Sequence, residues 1–254
     1  EKTSLIINSF LRTEDGINRF KTQLDQFDST KLLIETTKLD EVNRDDDNAF
    51  QFSTNFDTEF KKGYKLTALF QYEKNGENEL SEIENTNPLR NERVEEFRDE
   101  KRVLLQADYI LPFKDNSQLE IGYRGNFLNQ ETDFGVFDYR GIIRDTLSNV
   151  MIYEEKINSV YIQYGKSVKD LSFLLGLRVE DSEIIVKQLT TKERNDQNYN
   201  KFFPTLNFSY KFNDSKSIIL GFSRRISRPR ARFLNPFLQR SSIANFFQGN
   251  PNLI

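Results

Sequence analysis

The chain has 254 residues, with 36 basic and 39 acidic side chains, a net charge of -3 and a pI near 5.4. This acidic balance argues against nucleic acid as a partner, and 23 Phe with 10 Tyr argue against a disordered chain. Because His and Cys are absent, an imidazole base, a thiolate nucleophile, a disulfide framework and a His/Cys zinc site are excluded. We therefore expect no enzyme, no cofactor and no metal site. The run from Asp45 to Asp47 lacks the spacing of a calcium loop, and we interpret it as a solvated face.

Alternation of apolar and polar residues with a period of two dominates the sequence and predicts strands. An irregular first strand is expected near Thr3–Leu11. Eight further segments carry apolar side chains at every second position: Phe50–Phe60, Tyr64–Tyr72, Val103–Leu111, Leu119–Phe127, Val160–Tyr164, Leu171–Val179, Leu206–Phe212 and Ile218–Ile226. The sequence therefore predicts an all-β chain of about nine strands.

The predicted connections alternate between short and long. The short ones hold Gly, Asn or Asp suited to tight reversals, and they are Lys61–Gly63, Lys114–Asn116, Lys169–Asp170 and Asn213–Lys216. The long ones are Thr13–Asn48, Lys74–Arg98, Asn129–Glu155, Asp181–Asn198 and Ser227–Ile254. The first of them is able to form its own hairpin, with Asn18–Phe27 pairing to Lys31–Lys38 around a turn at Asp28–Thr30.

This sorting of connections is typical of an outer-membrane barrel, in which periplasmic turns are short and external loops are long. Most of the segments reach the roughly 9 to 11 residues that a tilted spanning strand needs. Aromatic residues near the strand ends fit a lipid boundary, and these are Phe60, Tyr64, Tyr72, Tyr109, Phe127 and Phe212. The alternative is a soluble sandwich in which Phe and Tyr serve as strand formers. We favour an antiparallel up-and-down transmembrane β-barrel.

The most specific motifs lie in the last quarter of the chain. They are Phe203-Pro204, a SRRISRP run over Ser223–Pro229, LNPF over Leu234–Phe237 and GNPNL over Gly249–Leu253. In this order they resemble the barrel region of TonB-dependent outer-membrane receptors of the Bacteroidetes type. GLRVE at Gly176–Glu180 and SVYIQY at Ser159–Tyr164 also resemble strands of that family.

The resemblance implies a partial barrel, excised from a larger receptor of about 22 strands that encloses a plug. We expect residues 1–254 to be one barrel segment without the plug, in the outer membrane of a Gram-negative bacterium. The implied function is uptake of a ferric chelate, glycan or peptide into the periplasm. The implied partners are outer-membrane lipid, a TonB-type protein that acts on the plug, and a surface lipoprotein. The alternatives are a β-sheet surface module that binds without transporting, and a passive porin-like channel.

Several charged side chains are candidates for the barrel interior. Glu120, Arg124, Arg178 and Glu180 fall in the polar phase of their strands, so they line a substrate path or brace the wall. Arg225 shares the polar phase of Ser223 and Ser227. It either contacts an anionic substrate or a plug carboxylate, or it forms an ion pair within the barrel. We favour the ion pair. The motif residues expected to be structural are Arg224, Arg225, Arg228, Pro229, Asn235, Pro236, Gly249, Asn250 and Pro251.

Overall fold

A computed structural model describes residues 2–240 and 246–253, and nine of its strands form a single antiparallel sheet in chain order. These strands are β1 (Lys2–Phe27), β2 (Leu33–Lys61), β3 (Tyr64–Asn85), β4 (Glu92–Pro112), β5 (Ser117–Phe137), β6 (Asn149–Val168), β7 (Leu171–Gln188), β8 (Arg194–Asn213) and β9 (Lys216–Ser223). Each strand pairs with the next, which confirms the predicted up-and-down topology. The sheet is not closed, because β1 and β9 are its two edges.

Four tight turns connect the strands at one end of the sheet, as predicted. They join β2 to β3, β4 to β5, β6 to β7, and β8 to β9. Three turn residues have positive φ, namely Gly63 at 87°, Asn116 at 59° and Lys169 at 54°. A glycine and an asparagine adopt this left-handed conformation readily, which explains the turn composition noted in the sequence.

The prediction of long loops at the other end of the sheet is wrong, since most of those residues continue the strands. Only residues 28–32, 86–91, 138–148 and 189–193 connect consecutive strands there. The hairpin predicted within the first long connection is present but larger, with Phe27 paired to Leu33 and the ladder unbroken from Gln26 to Lys2. Once a hairpin is in register, each further cross-strand pair adds backbone hydrogen bonds, so polar segments extend the ladder.

The sheet has an inner face, which the C-terminal residues cover, and an opposite outer face. On the outer face, the turn half of the sheet is apolar and the other half is polar. Exposed outer side chains of the apolar half include Phe70 at 39%, Leu175 at 41% and Val160 at 57%. They do not pack against a second layer, which contradicts the soluble sandwich. We call this zone the apolar band; it spans Phe50–Phe60, Tyr64–Tyr72, Val103–Leu111, Leu119–Phe127, Val160–Tyr164, Leu171–Val179, Phe202–Phe212 and Lys216–Ser223.

The border of the apolar band lies at one register level from β2 to β5 and at another from β6 to β8. Phe52 pairs with Tyr72, Tyr72 with Val103 and Val103 with Phe127, while Val179 pairs with Phe202. Beyond the band, the next outer position is polar in each of the seven strands β2 to β8: Asn48, Lys74, Lys101, Asn129, Asn158, Asp181 and Asn200. Between β5 and β6 the border shifts along the register, since Phe127 pairs with Lys156 and Tyr123 with Val160. Such a shift is expected where tilted strands cross a hydrocarbon layer. In the part of the chain that the structure describes, no helix is long and apolar enough to cross a membrane.

The C-terminal segment (residues 224–240 and 246–253) lies on the inner face at the end away from the turns. It contains the helix α1 (Ala231–Leu234) and a two-stranded pair of β10 (Gln239–Arg240) with β11 (Phe246–Phe247). The last strand of the sheet ends at Ser223, so the prediction that it runs to Ile226 is wrong. Arg224 and Arg225 consequently follow the strand instead of forming its outer end.

Candidate functional site

Arg228 ties the C-terminal segment to the wall of the sheet. Its Nη2 donates to Glu180 Oε2 at 2.6 Å and to Ser182 Oγ at 2.9 Å, and its Nε donates to Tyr199 OH at 3.0 Å. Alternation places Glu180, Ser182 and Tyr199 on the inner face of β7 and β8, where one guanidinium reaches all three. Burial lowers the pKa of Arg228, but the hydrogen bonds that its guanidinium donates to Glu180 and Tyr199 outweigh this effect, and the pKa is raised. The segment is therefore held by a permanent charge.

Glu180 is nearly fully buried, with 4% of its side chain exposed, and both of its carboxylate oxygens have partners. Arg178 Nη2 lies 2.8 Å from its Oε1, and Ser159 Oγ donates to the same oxygen at 3.4 Å. A buried carboxylate needs this number of partners, because an unpaired charge in the interior costs several kcal/mol. The cluster of Arg178, Glu180 and Arg228 is thus a structural ion-pair network.

Two apolar side chains of α1 provide a second anchor. Leu234 is completely buried and Ala231 is 8% exposed. They pack in the principal buried cluster, together with Met151, Tyr153, Ile184 and Val186 from the inner faces of β6 and β7. Burial of a leucine side chain contributes about 1.5–3 kcal/mol, so this contact is comparable to the Arg228 network in holding the segment.

Asn235 and Gly249 form a third anchor within the segment. Asn235 Oδ1 accepts from Gln188 Nε2 and from the amide of Phe237, both at 3.0 Å. The amide of Gly249 donates to the carbonyl of Asn235 at 2.7 Å. A Cβ at Gly249 would lie 2.5 Å from the carbonyl oxygen of Phe233, so only glycine fits this close backbone approach. The LNPF and GNP motifs therefore meet in space.

A cavity of about 740 Å³ lies between the C-terminal segment and the inner faces of β2 to β6. Charged and amide side chains form more than half of its lining, and apolar side chains such as Ile83, Leu128 and Met151 form much of the rest. The charged members are Glu41, Glu77, Glu79, Glu96, Arg98, Glu100, Arg102, Glu155, Arg228, Arg230 and Arg232. Such a surface offers donors and acceptors for a polar ligand.

Carboxylates exceed their counterions on the β2 to β4 wall of the cavity. Strand register places Asp45 opposite Glu79, and Glu79 opposite Glu96. Arg98 is the nearby cation, and it is shared by Glu96 at 2.5 Å and by Glu77. Protein atoms crowded around Glu79 raise its pKa, and the charges of Glu96 and Asp45 raise it further. This wall is therefore electrostatically suited to a ligand with positive or hydrogen-bond-donating groups.

The structure brings together only some of the residues singled out from the sequence. Arg178 and Glu180 form an ion pair, as one interpretation of the polar-phase residues had it. Arg124 donates to Gln106 Oε1 at 3.0 Å, and Glu120 stands apart on the inner face of the same strand. Arg225 is exposed and forms no ion pair with any described residue, whereas Arg228 does form one. The favoured internal ion pair thus lies three residues later than expected.

The other motif residues of the C-terminal segment interact through backbone groups, and none of them forms an ion pair with a described residue of the cavity wall. The amide of Arg224 donates to the carbonyl of Pro204 at 3.2 Å, and that of Asn250 to the carbonyl of Phe233 at 2.8 Å. Pro236 and Pro251 supply carbonyl acceptors for Gln248 and Gln197. Pro229 lines the cavity beside Arg228.

Sequence reasoning missed the cavity wall itself. Glu41, Glu77, Glu79, Glu96 and Arg98 fell in segments interpreted as loops. The Asp45–Asp47 run lies within β2, so its three carboxylates alternate between the two faces and do not converge. The signal that could have identified the wall is the opposite charge at paired positions such as Arg98 and Glu77, which is typical of cross-strand neighbours.

Comparison with known proteins gives one family match. The sequence profile of the outer membrane protein beta-barrel family matches residues 37–254, which is most of the chain. No curated protein matches the sequence.

Two solved structures share the strand arrangement. The ferric citrate transporter FecA in its unliganded form is similar with a TM-score of 0.50 and 14% identity, over 81% of this chain and 34% of that one. The ferric yersiniabactin uptake receptor FyuA from Yersinia pestis has a TM-score of 0.50 and 8% identity, over 84% of this chain and 42% of that one. At these identities the similarity establishes the fold, and the chain spans less than half the length of either protein.

Proposed function

The chain belongs to the outer membrane protein β-barrel family, and from this premise we propose that it forms part of the wall of a TonB-dependent transporter that takes up a nutrient into the periplasm. Family membership confirms the resemblance seen in the last quarter of the sequence and the outer-membrane location in a Gram-negative bacterium. The Bacteroidetes type stays a prediction.

The observation that carries the proposal is the two-sided character of the sheet. The outer face presents the apolar band, while the inner face presents paired charges around a cavity of about 740 Å³. A wall that is apolar on its outer face and polar on its inner face suits the passage of a water-soluble ligand through a lipid layer. The sharing of strand order with FecA and FyuA supports the same proposal at the level of the fold.

The remaining parts of such a transporter belong to the proposal. Because β1 and β9 expose unpaired edges, and edges cannot face lipid unpaired, further strands would complete the barrel. A plug inside the barrel would receive energy from a TonB-type protein, and a surface lipoprotein is a further candidate partner. The ligand would be a ferric chelate, a glycan or a peptide, bound first at the end of the sheet away from the turns.

Uptake by cells tests this proposal. A strain that lacks the gene, and the same strain complemented with it, are supplied with labelled ferric chelates, oligosaccharides and peptides. We expect accumulation of one of these classes only in the complemented strain, and its loss when a protonophore collapses the energy supply. Accumulation that survives the protonophore, together with steady conductance in planar bilayers, would identify a passive channel instead. Surface binding without accumulation for every class would identify a non-transporting module.

A further inference from the structure

The short-turn end of the sheet differs in charge from the rest of the acidic chain. Each of its four turns, including the flanking strand ends, carries at least one lysine, and the five lysines are Lys61, Lys62, Lys114, Lys169 and Lys216. All five are exposed. No arginine lies in the turns or the adjacent strand ends, over residues 57–66, 110–119, 164–175 and 209–218. We call these five residues the lysine rim.

The ammonium groups of the lysine rim have no ion-pair partner among the described residues. Three other lysines at this end are paired: Lys65 with Asp57 at 3.1 Å, Lys166 with Asp115 at 2.7 Å and Lys211 with Asp214 at 2.7 Å. Those pairs occupy three of the local carboxylates. Of the carboxylates that the structure describes, none lies within ion-pair distance of a rim lysine. The five rim lysines therefore exceed the two remaining local carboxylates, Glu59 and Asp170, and the rim presents excess positive charge.

The opposite border of the apolar band provides an internal contrast. Three outer-face lysines also follow the band there, and each of them has a carboxylate neighbour. Lys74 and Lys101 share Asp99 at 3.9 and 3.8 Å, and Lys156 lies 3.0 Å from Glu183. The two borders thus carry the same residue type but differ in whether these lysines have a carboxylate partner. Exposure to lipid alone does not account for this difference, since both borders flank the same band.

We propose that the lysine rim binds the phosphate groups of anionic phospholipids in the leaflet that surrounds the turns. The rim continues directly from the apolar band, so acyl chains against the band place their headgroups beside the turns. A lysine stem can lie along apolar surface while its ammonium group reaches the headgroup level. A lysine near an anionic leaflet gains about 1 kcal/mol, equivalent to roughly a fivefold preference, and salt screens it.

The test measures lipid selectivity of the protein, purified from its own outer membrane and reconstituted with spin-labelled phosphatidylglycerol or phosphatidylethanolamine. The motionally restricted fraction of each label gives the relative association constant of the anionic lipid. One variant changes one lysine in each turn to glutamine: Lys62→Gln, Lys114→Gln, Lys169→Gln and Lys216→Gln. The matched control removes the same charge at the other end of the sheet, far from the band: Lys21→Gln, Lys31→Gln, Lys38→Gln and Lys192→Gln.

We expect the preference for phosphatidylglycerol to fall at least fivefold in the rim variant and to stay within twofold in the control. Raising salt from 0.05 to about 0.5 M should reduce the preference of the unaltered protein in the same way. A fourfold Lys→Arg rim variant should retain it, which separates loss of charge from damaged folding, and a heat-induced shift in gel mobility checks each preparation. An unchanged preference in the rim variant, or an equal loss in rim and control variants, would overturn the proposal.

Discussion

Replacement of Arg228 by leucine should release the C-terminal segment without unfolding the sheet. The change removes three hydrogen bonds from one guanidinium, to Glu180, Ser182 and Tyr199. Breaking a buried ion pair costs about 3–5 kcal/mol when the remaining charge is left alone. Here Arg178 stays 2.8 Å from Glu180, so the cost lies near the lower limit, at about 3 kcal/mol.

The assay is hydrogen exchange of the amides in Ala231–Leu234. Exchange of these amides requires the segment to leave the inner face, because Leu234 is fully buried there. Since each 1.4 kcal/mol changes an equilibrium tenfold, we expect exchange in this region to accelerate about 100-fold. Amides of β4 and β5 should keep their protection, since their ladder does not involve Arg228.

Arg225→Leu is the matched control, because this neighbouring arginine is exposed and unpaired among the described residues. It should change exchange in α1 by less than threefold. The reasoning is refuted if Arg228→Leu accelerates exchange in α1 by less than tenfold. It is equally refuted if β4 and β5 lose protection to the same extent, since that result would mean global unfolding.

Three further outcomes follow from the geometry. Gly249→Ala places a methyl group 2.5 Å from the Phe233 carbonyl and should expose the segment to proteolysis, as measured by trypsin cleavage. Glu79→Gln removes like-charge repulsion, so it should stabilise the folded protein by about 0.5 kcal/mol in urea titrations at pH 7. Because the pKa of Glu79 is raised above its usual value, the gain should decline as the pH falls through that raised pKa and should be absent below about pH 4. Leu175→Arg on the outer face should cost about 2–4 kcal/mol of stability in lipid vesicles, whereas Leu174→Arg on the inner face should cost less than about 1.

The strands of the apolar band could be predicted because each shows hydrophobic contrast between its two faces. Leu171, Phe173, Leu175 and Leu177 alternate with mostly polar residues, and the structure places them on the outer face as expected. The tight turns could also be predicted, because positions such as Gly63 need a left-handed backbone conformation that few residues other than glycine adopt.

The other half of each strand gave no such contrast. In β4, for example, Glu95 faces outward and Glu96 inward, and both meet water. Hydropathy therefore suggested loops where the backbone ladder continues. What holds these strands is pairing between neighbours, such as Arg44 with Glu82, and this depends on register that a single strand does not reveal.

The candidate site was predictable only in part for the same reason. Glu180 and Arg228 were both singled out, but their contact joins positions 48 residues apart and needs the C-terminal segment to fold back on the inner face. The sequence motif around Arg224 and Arg225 drew attention to the wrong guanidinium. The last strand was assumed to continue three residues further, to Ile226, before the chain leaves the sheet.

The continuation of the strands beyond the lipid border restricts how this protein can change during evolution. A flexible loop tolerates insertions of any length, but one residue added to a paired strand exchanges every later side chain between the cavity and the outside. Changes in ligand preference at the cavity wall should therefore arise by substitution, or by insertion in steps of two residues. Length variation among relatives should be concentrated in the connections at the end away from the tight turns, at residues 28–32, 86–91, 138–148 and 189–193.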